Sequence, residues 1–196
     1  MLEVTKRNGQ REPLEIDKVH RVLDWAAEGL NVSVSQVELQ AHVQFVDGIR
    51  TSDIHAMLIK SAADLISEEE PDYQWMAARL NIFSMRKEAF GEFEPPHLTT
   101  HLQNMVQKGL YDKHLLEDYD ALEIQTLHDV IDHSRDMNYA YAATVQLREK
   151  YLIRNRVTNV LYESPQLAYM AIAMALHANE PKQSRLDRVI RFYHAT

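Results

Sequence analysis

The side chains best suited to chemistry lie in the first ninety residues and suit the capture of a phosphorylated anion. Lys6 and Arg7 stand side by side in Val4-Thr5-Lys6-Arg7-Asn8-Gly9, ahead of any helical pattern. Thr51 and His55 are spaced i, i+4, so on a helix they share a face near its N-terminus. Unpaired N–H groups and the positive dipole end make that place suited to phosphate. Lys87 continues the apolar stripe Met76, Leu80, Phe83, where a charge is odd unless an anion meets it or its stem snorkels. Lys18 sits in a first helical turn, where a cation opposes the helix dipole. Each residue also has a plainer use: a cap for Thr51, a half-buried ring for His55, a solvated surface cation for Lys18.

Other chemistries are poorly served. The chain has no cysteine, which excludes disulfides, thiolate metal sites, cysteine nucleophiles and thiyl radicals on these 196 residues. With five glycines and no GxxxxGK[ST] or GxGxxG motif, glycine-rich phosphate cradles are absent. No order of Ser, His and Asp marks a hydrolase triad. Seven of the ten histidines follow residue 96. His128 and His133 are i, i+5 and splay on a helix, while Pro95 and Pro96 spoil the Glu94-x-x-His97 spacing used in di-iron bundles. We therefore expect no metal site. A formal charge of −8, from 21 Lys+Arg against 29 Asp+Glu, argues against broad nucleic-acid binding but leaves room for a local anion site. No apolar run approaches the roughly 20 residues that span a bilayer, and Met1-Leu2-Glu3 does not open a signal peptide, so a cytoplasmic location without membrane contact is expected.

The elements that must position these residues are mainly helical. Asn8-Gly9 signals a hairpin, with Glu12 to Ile16 returning as a second strand and Pro13 confined to an edge. If Val4 to Arg7 is extended, Lys6 and Arg7 point to opposite faces. Asp17 reads as the N-cap of a first helix whose apolar face is Val19, Val22, Leu23, Ala26, Ala27 and Leu30. Ser33 or Ser35 caps a second helix near Gln36 to Val46, and Thr51-Ser52-Asp53 caps a third with Ile54, Leu58, Ser61, Ala62 and Leu65 inward. A fourth runs from Asp72 to about Ala89 and stops at Gly91. Phe93-Glu94-Pro95-Pro96 is a stiff break that divides the chain into 1–92 and 93–196. Helices are expected beyond it at 97–108, 120–134, 139–150, 165–178 and 184–195, with a second hairpin over Arg154 to Tyr162. The 165–178 helix is apolar nearly all round and so should be buried against other protein. The last segment stops in mid-helix without a cap, as a chain cut short does.

Taken together, these residues resemble a known family. Val4-Thr5-Lys6-Arg7-Asn8-Gly9, Ile16-Asp17-Lys18-Val19, Thr51-Ser52-Asp53-Ile54-His55 and Arg79-Leu80-Asn81-Ile82-Phe83-Ser84-Met85-Arg86-Lys87 are similar to the ATP-cone, the N-terminal regulatory module of class Ia ribonucleotide reductase large subunits. The likeness continues through Phe93-Glu94-Pro95-Pro96, Asp132-His133-Ser134-Arg135-Asp136-Met137, Leu147-Arg148-Glu149-Lys150-Tyr151-Leu152 and Arg191-Phe192-Tyr193, in the manner of bacterial or phage subunits. It implies a small N-terminal β-hairpin capping a four-helix cone, then a helical segment that would precede a ten-stranded α/β barrel.

The resemblance also implies a ligand and partners. ATP, as activator, and dATP, as inhibitor, would bind the cone with Mg²⁺. Lys6, Arg7 and Lys87 would hold phosphates, with Thr51 and His55 nearby. Glu12 and Lys18 would lie at the base and ribose end, and Phe83 would line the pocket. Glu15 stands where relatives often carry a polar amide. Partners would be the remainder of the large subunit, the small radical-generating subunit, and further copies in a dATP-modulated homo-oligomer. Family catalysis runs through a thiyl radical and a redox cysteine pair in the barrel, so these 196 residues alone should be inactive. The alternative is a helical adaptor that docks on partner subunits without nucleotide.

Overall fold

The computed structural model of the protein describes residues 2–41 and 46–196. It is mainly helical, with one small sheet at the N-terminus. The sheet has three strands, β1 (Glu3–Thr5), β2 (Arg11–Pro13) and β3 (Ile49–Arg50), in the order β2-β1-β3. β2 lies antiparallel to β1, with Val4 opposite Glu12, and β3 parallel to it, with Val4 opposite Ile49. Pro13 sits on the edge strand, as its missing N–H requires. The hairpin is there, but β3 goes beyond the sequence reading.

The hairpin loop is wider than a two-residue Asn-Gly turn. Lys6 N–H donates to Gln10 O at 2.8 Å and Gly9 N–H to Lys6 O at 2.9 Å. Only Gly9 takes a positive φ, 84°, while the Asn8 side chain accepts from Gln10 N–H at 3.0 Å. β1 thus ends at Thr5, and Lys6 and Arg7 belong to the loop rather than to opposite faces of a strand.

Four helices close on the sheet: α1 (Ile16–Ala27), α2 (Val34–Ala41), α3 (Thr51–Asp64) and α4 (Tyr73–Phe90). The apolar face foreseen for α1 is the one that packs, with Leu23 and Ala26 buried and Val19, Val22, Ala27 and Leu30 beside them. Ser33 Oγ accepts from Gln36 N–H at 3.3 Å and caps α2; residues 42–45 of the expected second helix lie outside the described residues. Two expected caps fail. Ile16 opens α1, so Asp17 lies inside its first turn and Glu15 holds the N-cap position without a side-chain cap hydrogen bond. Likewise Arg50 stands at the N-cap of α3, because strand β3 runs straight into the helix at Thr51. Gly91, at φ 80°, ends α4 as expected, and Arg79 closes the C-terminus of α1 by donating to Glu28 O at 2.6 Å.

Beyond the Pro95-Pro96 break come α5 (Leu98–Gln107), α6 (His114–Glu117), α7 (Ala121–Val130), a 3-10 turn (His133–Asn138), α8 (Tyr141–Gln146) running into a π turn (Leu147–Tyr151), α9 (Pro165–His177) and α10 (Lys182–Ala195). The expected 120–134 helix stops at Val130. Ile131 turns extended and Asp132 starts a new turn by accepting from Ser134 N–H at 2.9 Å. The 154–162 hairpin is reduced to one bridge, Arg154 with Leu161. α9 buries Leu167, Met170, Ala173 and Met174, but Ile172 is 49% and Leu176 61% exposed, so one apolar face is open rather than covered.

α4 serves both halves. Tyr73, Met76, Ala77 and Leu80 sit in the core with α1 to α3, whereas Ile82 and Met85 pack with Leu147, Leu152 and Leu161. Arg86 of α4 donates to Asp136 at 2.8 Å, with both side chains buried.

Candidate functional site

A cavity of about 690 Å³ opens between the hairpin loop, β2, α1, the start of α3 and the C-terminal half of α4. Its volume is in the range of sites that take small ligands. All eight residues singled out from the sequence line it: Lys6, Arg7, Glu12, Lys18, Thr51, His55, Phe83 and Lys87. Five segments bring them there: the hairpin loop, β2, α1, α3 and α4. The loop carries Lys6 and Arg7 on one lip, and Arg7 Nη2 is fastened to α4 by donating to Ser84 Oγ at 3.2 Å. Thr51 and His55 occupy the first turns of α3, and Phe83 and Lys87 are successive turns of α4.

The electrostatics of the cavity are uneven. At one end Lys6, Arg7 and Lys87 crowd together. The Lys87 ammonium is held below its ordinary pKa by desolvation and by the charges of Lys6 and Arg7. Arg7 is lowered too, chiefly by desolvation. His55 falls to about 4, through burial first and then the Arg7 and Lys87 charges, so it is neutral at pH 7. Its Nδ1 is buried without a partner. An anion would relieve all three groups at once.

Toward the other end, from Lys6 on to Lys18, the cations have carboxylate partners already. Lys6 Nζ lies 3.4 Å from Glu12, and Lys18 Nζ donates to Glu15 at 2.8 Å. The Lys18 bond holds the Glu15 carboxyl below its ordinary pKa. Carboxylates here can accept from ligand hydroxyl or amino groups.

The sequence reading missed the aromatic wall. Trp25 of α1 and Phe93 also line the cavity. Phe83 stacks on His55, centroids 5.0 Å apart at 12°, and on Phe93 at 5.2 Å and 25°. Trp25 meets the edge of Phe93 at 5.2 Å. Trp25 follows Val22 by three residues and so was readable as part of the α1 face. Phe93 lay in what looked like a linker, and no periodic signal marks it.

Among the described residues no group of three or more His, Asp or Glu side chains converges as a metal site. His97 and His128 do meet, ring centroids 3.7 Å apart, but their Nδ1 atoms face the backbone N–H groups of Thr99 and Leu98. No helix among the described residues is long and apolar enough to cross a membrane.

Comparison with known proteins gives two family matches. Residues 2–88 match the ATP cone domain, and residues 137–196 the ribonucleotide reductase all-alpha domain. Over 195 residues the chain is 59% identical to ribonucleoside-diphosphate reductase 1 subunit alpha of Salmonella typhimurium and 58% identical to that of Escherichia coli; these alignments cover 99% of the chain. It is 43% identical to the subunit alpha of Enterobacteria phage T4 over 195 residues, 100% of the chain. In all three the match spans 26% of the relative, so the chain covers about a quarter of the length of these proteins.

Proposed function

Since the chain belongs to the family of ribonucleoside-diphosphate reductase alpha subunits and corresponds to their N-terminal region, we propose that residues 1–92 are its allosteric nucleotide switch and 93–196 the start of its catalytic domain. The effectors are ATP and dATP, carried in with Mg²⁺, with ATP activating and dATP inhibiting. The observation that carries this reading is the convergence of Lys6, Arg7, Lys87, His55 and Thr51 in one cavity within the matched cone.

In this reading the triphosphate lies at the end lined by Lys6, Arg7 and Lys87, where the mutual repulsion of the cations is highest in the free protein. Thr51 and His55 face it from the N-terminus of α3. Phe83 lines the pocket, while Glu12 and Lys18 lie at the base and ribose end. Loss of the 2′-hydroxyl in dATP alters the packing of α1 to α4, and the changed cone surface favours or blocks association with the small subunit and with further large subunits.

Calorimetric titration with Mg-ATP and Mg-dATP tests the proposal. Micromolar binding of both is expected; a folded protein that takes up neither overturns it. Lys6→Ala and Lys87→Ala should each weaken binding by about 1.5–3 kcal/mol, the worth of a hydrogen bond to a charged group.

A second reading, a helical adaptor that docks on partner subunits without nucleotide, draws on the open apolar face of α9 at Ile172 and Leu176. Analytical ultracentrifugation separates the two. Self-association that ignores nucleotide supports the adaptor; association that responds to dATP supports the switch. A monomer at all concentrations, indifferent to nucleotide, counts against both.

A further inference from the structure

Arg86 lies outside the cavity, yet it holds one of the cavity's walls. It precedes Lys87 on α4, is 2% exposed, and spends its Nη2 on the other half of the molecule, donating to His133 O at 2.6 Å and to Asp136 at 2.8 Å. Its Nε is buried with no hydrogen-bond partner. Its guanidinium carbon lies over the Phe93 ring, 5.1 Å from the centroid. Phe93 in turn lines the cavity and stacks on Phe83. The ring is therefore in contact with Arg86 as well as with Phe83 and Trp25, and a shift toward a ligand alters its contact with the guanidinium.

Asp136 leads on into a polar chain that is buried from Asp136 through Gln166 to Tyr193. Its Oδ1 accepts from Gln166 Nε2 at 3.0 Å, Gln166 Oε1 accepts from Tyr193 O–H at 2.7 Å, and Tyr193 oxygen accepts from Asp132 N–H at 3.0 Å. Asp136, Gln166 and Tyr193 belong to the 3-10 turn, α9 and α10, and Asp132 is the N-cap of that turn. Such chains have few alternative arrangements, because each buried donor or acceptor released without a partner carries a full desolvation cost.

We propose that Arg86 is a positioning residue of the nucleotide pocket: through Phe93 it links the state of the cavity to the buried chain Asp136–Gln166–Tyr193. The proposal rests on the reading of the cavity as a nucleotide site and names the route by which that site communicates. Binding that moves Phe93 must alter the Arg86–Asp136 pair. By reciprocity, a change made at Asp136 or Tyr193 must alter nucleotide affinity, although neither lines the cavity.

The experiment uses the full chain with Trp75→Phe, so that Trp25, which touches Phe93, reports alone. In this background Asp136→Asn and Tyr193→Phe are compared by far-UV circular dichroism, ligand-free Trp25 emission and Mg-ATP titration. The proposal expects at least one folded variant to shift Trp25 emission without ligand and to change the Mg-ATP dissociation constant about fivefold or more. Arg86→Lys, which keeps the charge but loses the flat stacking face, should shift the emission in the same sense. Asp136→Asn leaves Arg86 facing a neutral amide; should it not fold, Tyr193→Phe, which removes one hydroxyl, decides. Folded variants with unmoved emission and a dissociation constant within about twofold of the parent overturn the proposal. If the parent itself binds no nucleotide, the function proposed above fails while the emission comparison still decides the linkage.

Discussion

At the scale of single residues, six side chains read from type and spacing and two more, Glu12 and Phe83, implied by the family resemblance all line one cavity, and the reasons differ in kind. Lys87 was legible because a charge on an apolar stripe asks for an anion. Lys6 and Arg7 were legible as cations but not as neighbours, since an extended strand would have parted them; the loop from Lys6 to Gln10 reconciles them. Phe93 and Arg86 were not legible, because their importance lies in contacts between segments that no local period reports. His55 supplies a prediction. Its folded pKa, about 4, is depressed by burial, Arg7 and Lys87. A polyphosphate bound beside it, as proposed, would raise that pKa, so binding would take up a proton and affinity should increase as pH falls from about 7 to about 5.5. His55→Gln should flatten that dependence, measured by titration at several pH values. Arg185 gives another. It donates to both Glu123 oxygens at 2.8 Å, with each side chain 7% exposed, and lies over the Tyr119 ring at 4.2 Å. Arg185→Ala strands a buried carboxylate, and chemical denaturation should show a loss of about 3–5 kcal/mol.

At the scale of elements, long helices with a regular apolar face declared themselves, as α1, α3 and α4 illustrate. What escaped was short or closed by distant partners. β3 is two residues long and exists only because Val4, far back in the chain, pairs with Ile49. α6 is four residues, too short for a period to register. The break after Val130 did have a local cause in Asp132, whose carboxylate accepts from Ser134 N–H and O–H at 2.9 and 2.6 Å. Gly91 carries the prediction at this scale. At φ 80° with open space where a Cβ would go, it is held to glycine by backbone conformation alone. Gly91→Ala should cost about 1–2 kcal/mol in thermal or chemical unfolding, without a change in fold.

At the scale of the whole molecule, acid is the expected weakness. His55, His101 and His133 each have folded pKa values near 4 against an ordinary 6.5, all chiefly through burial. Between those limits the unfolded chain binds more protons than the folded one, so stability is lost as pH falls from about 6.5 toward 4. His133→Gln should reduce the proton uptake on unfolding near pH 5 by about one, read from the pH dependence of the unfolding free energy.

α4 bears on a different matter, the portability of the cone. One side of this helix belongs to the nucleotide module, while Ile82, Met85 and Arg86 on the other are the lining of its neighbour. A cone lifted out at residue 92 would take that lining with it, now as a greasy stripe with a stranded cation at its centre. Transplanted intact onto another protein, it would bring a demand for a matching surface. Repainted there with polar residues, it would become an interchangeable part. Gel filtration of residues 1–92 with and without Ile82→Gln and Met85→Gln should show the difference as self-association against monomer.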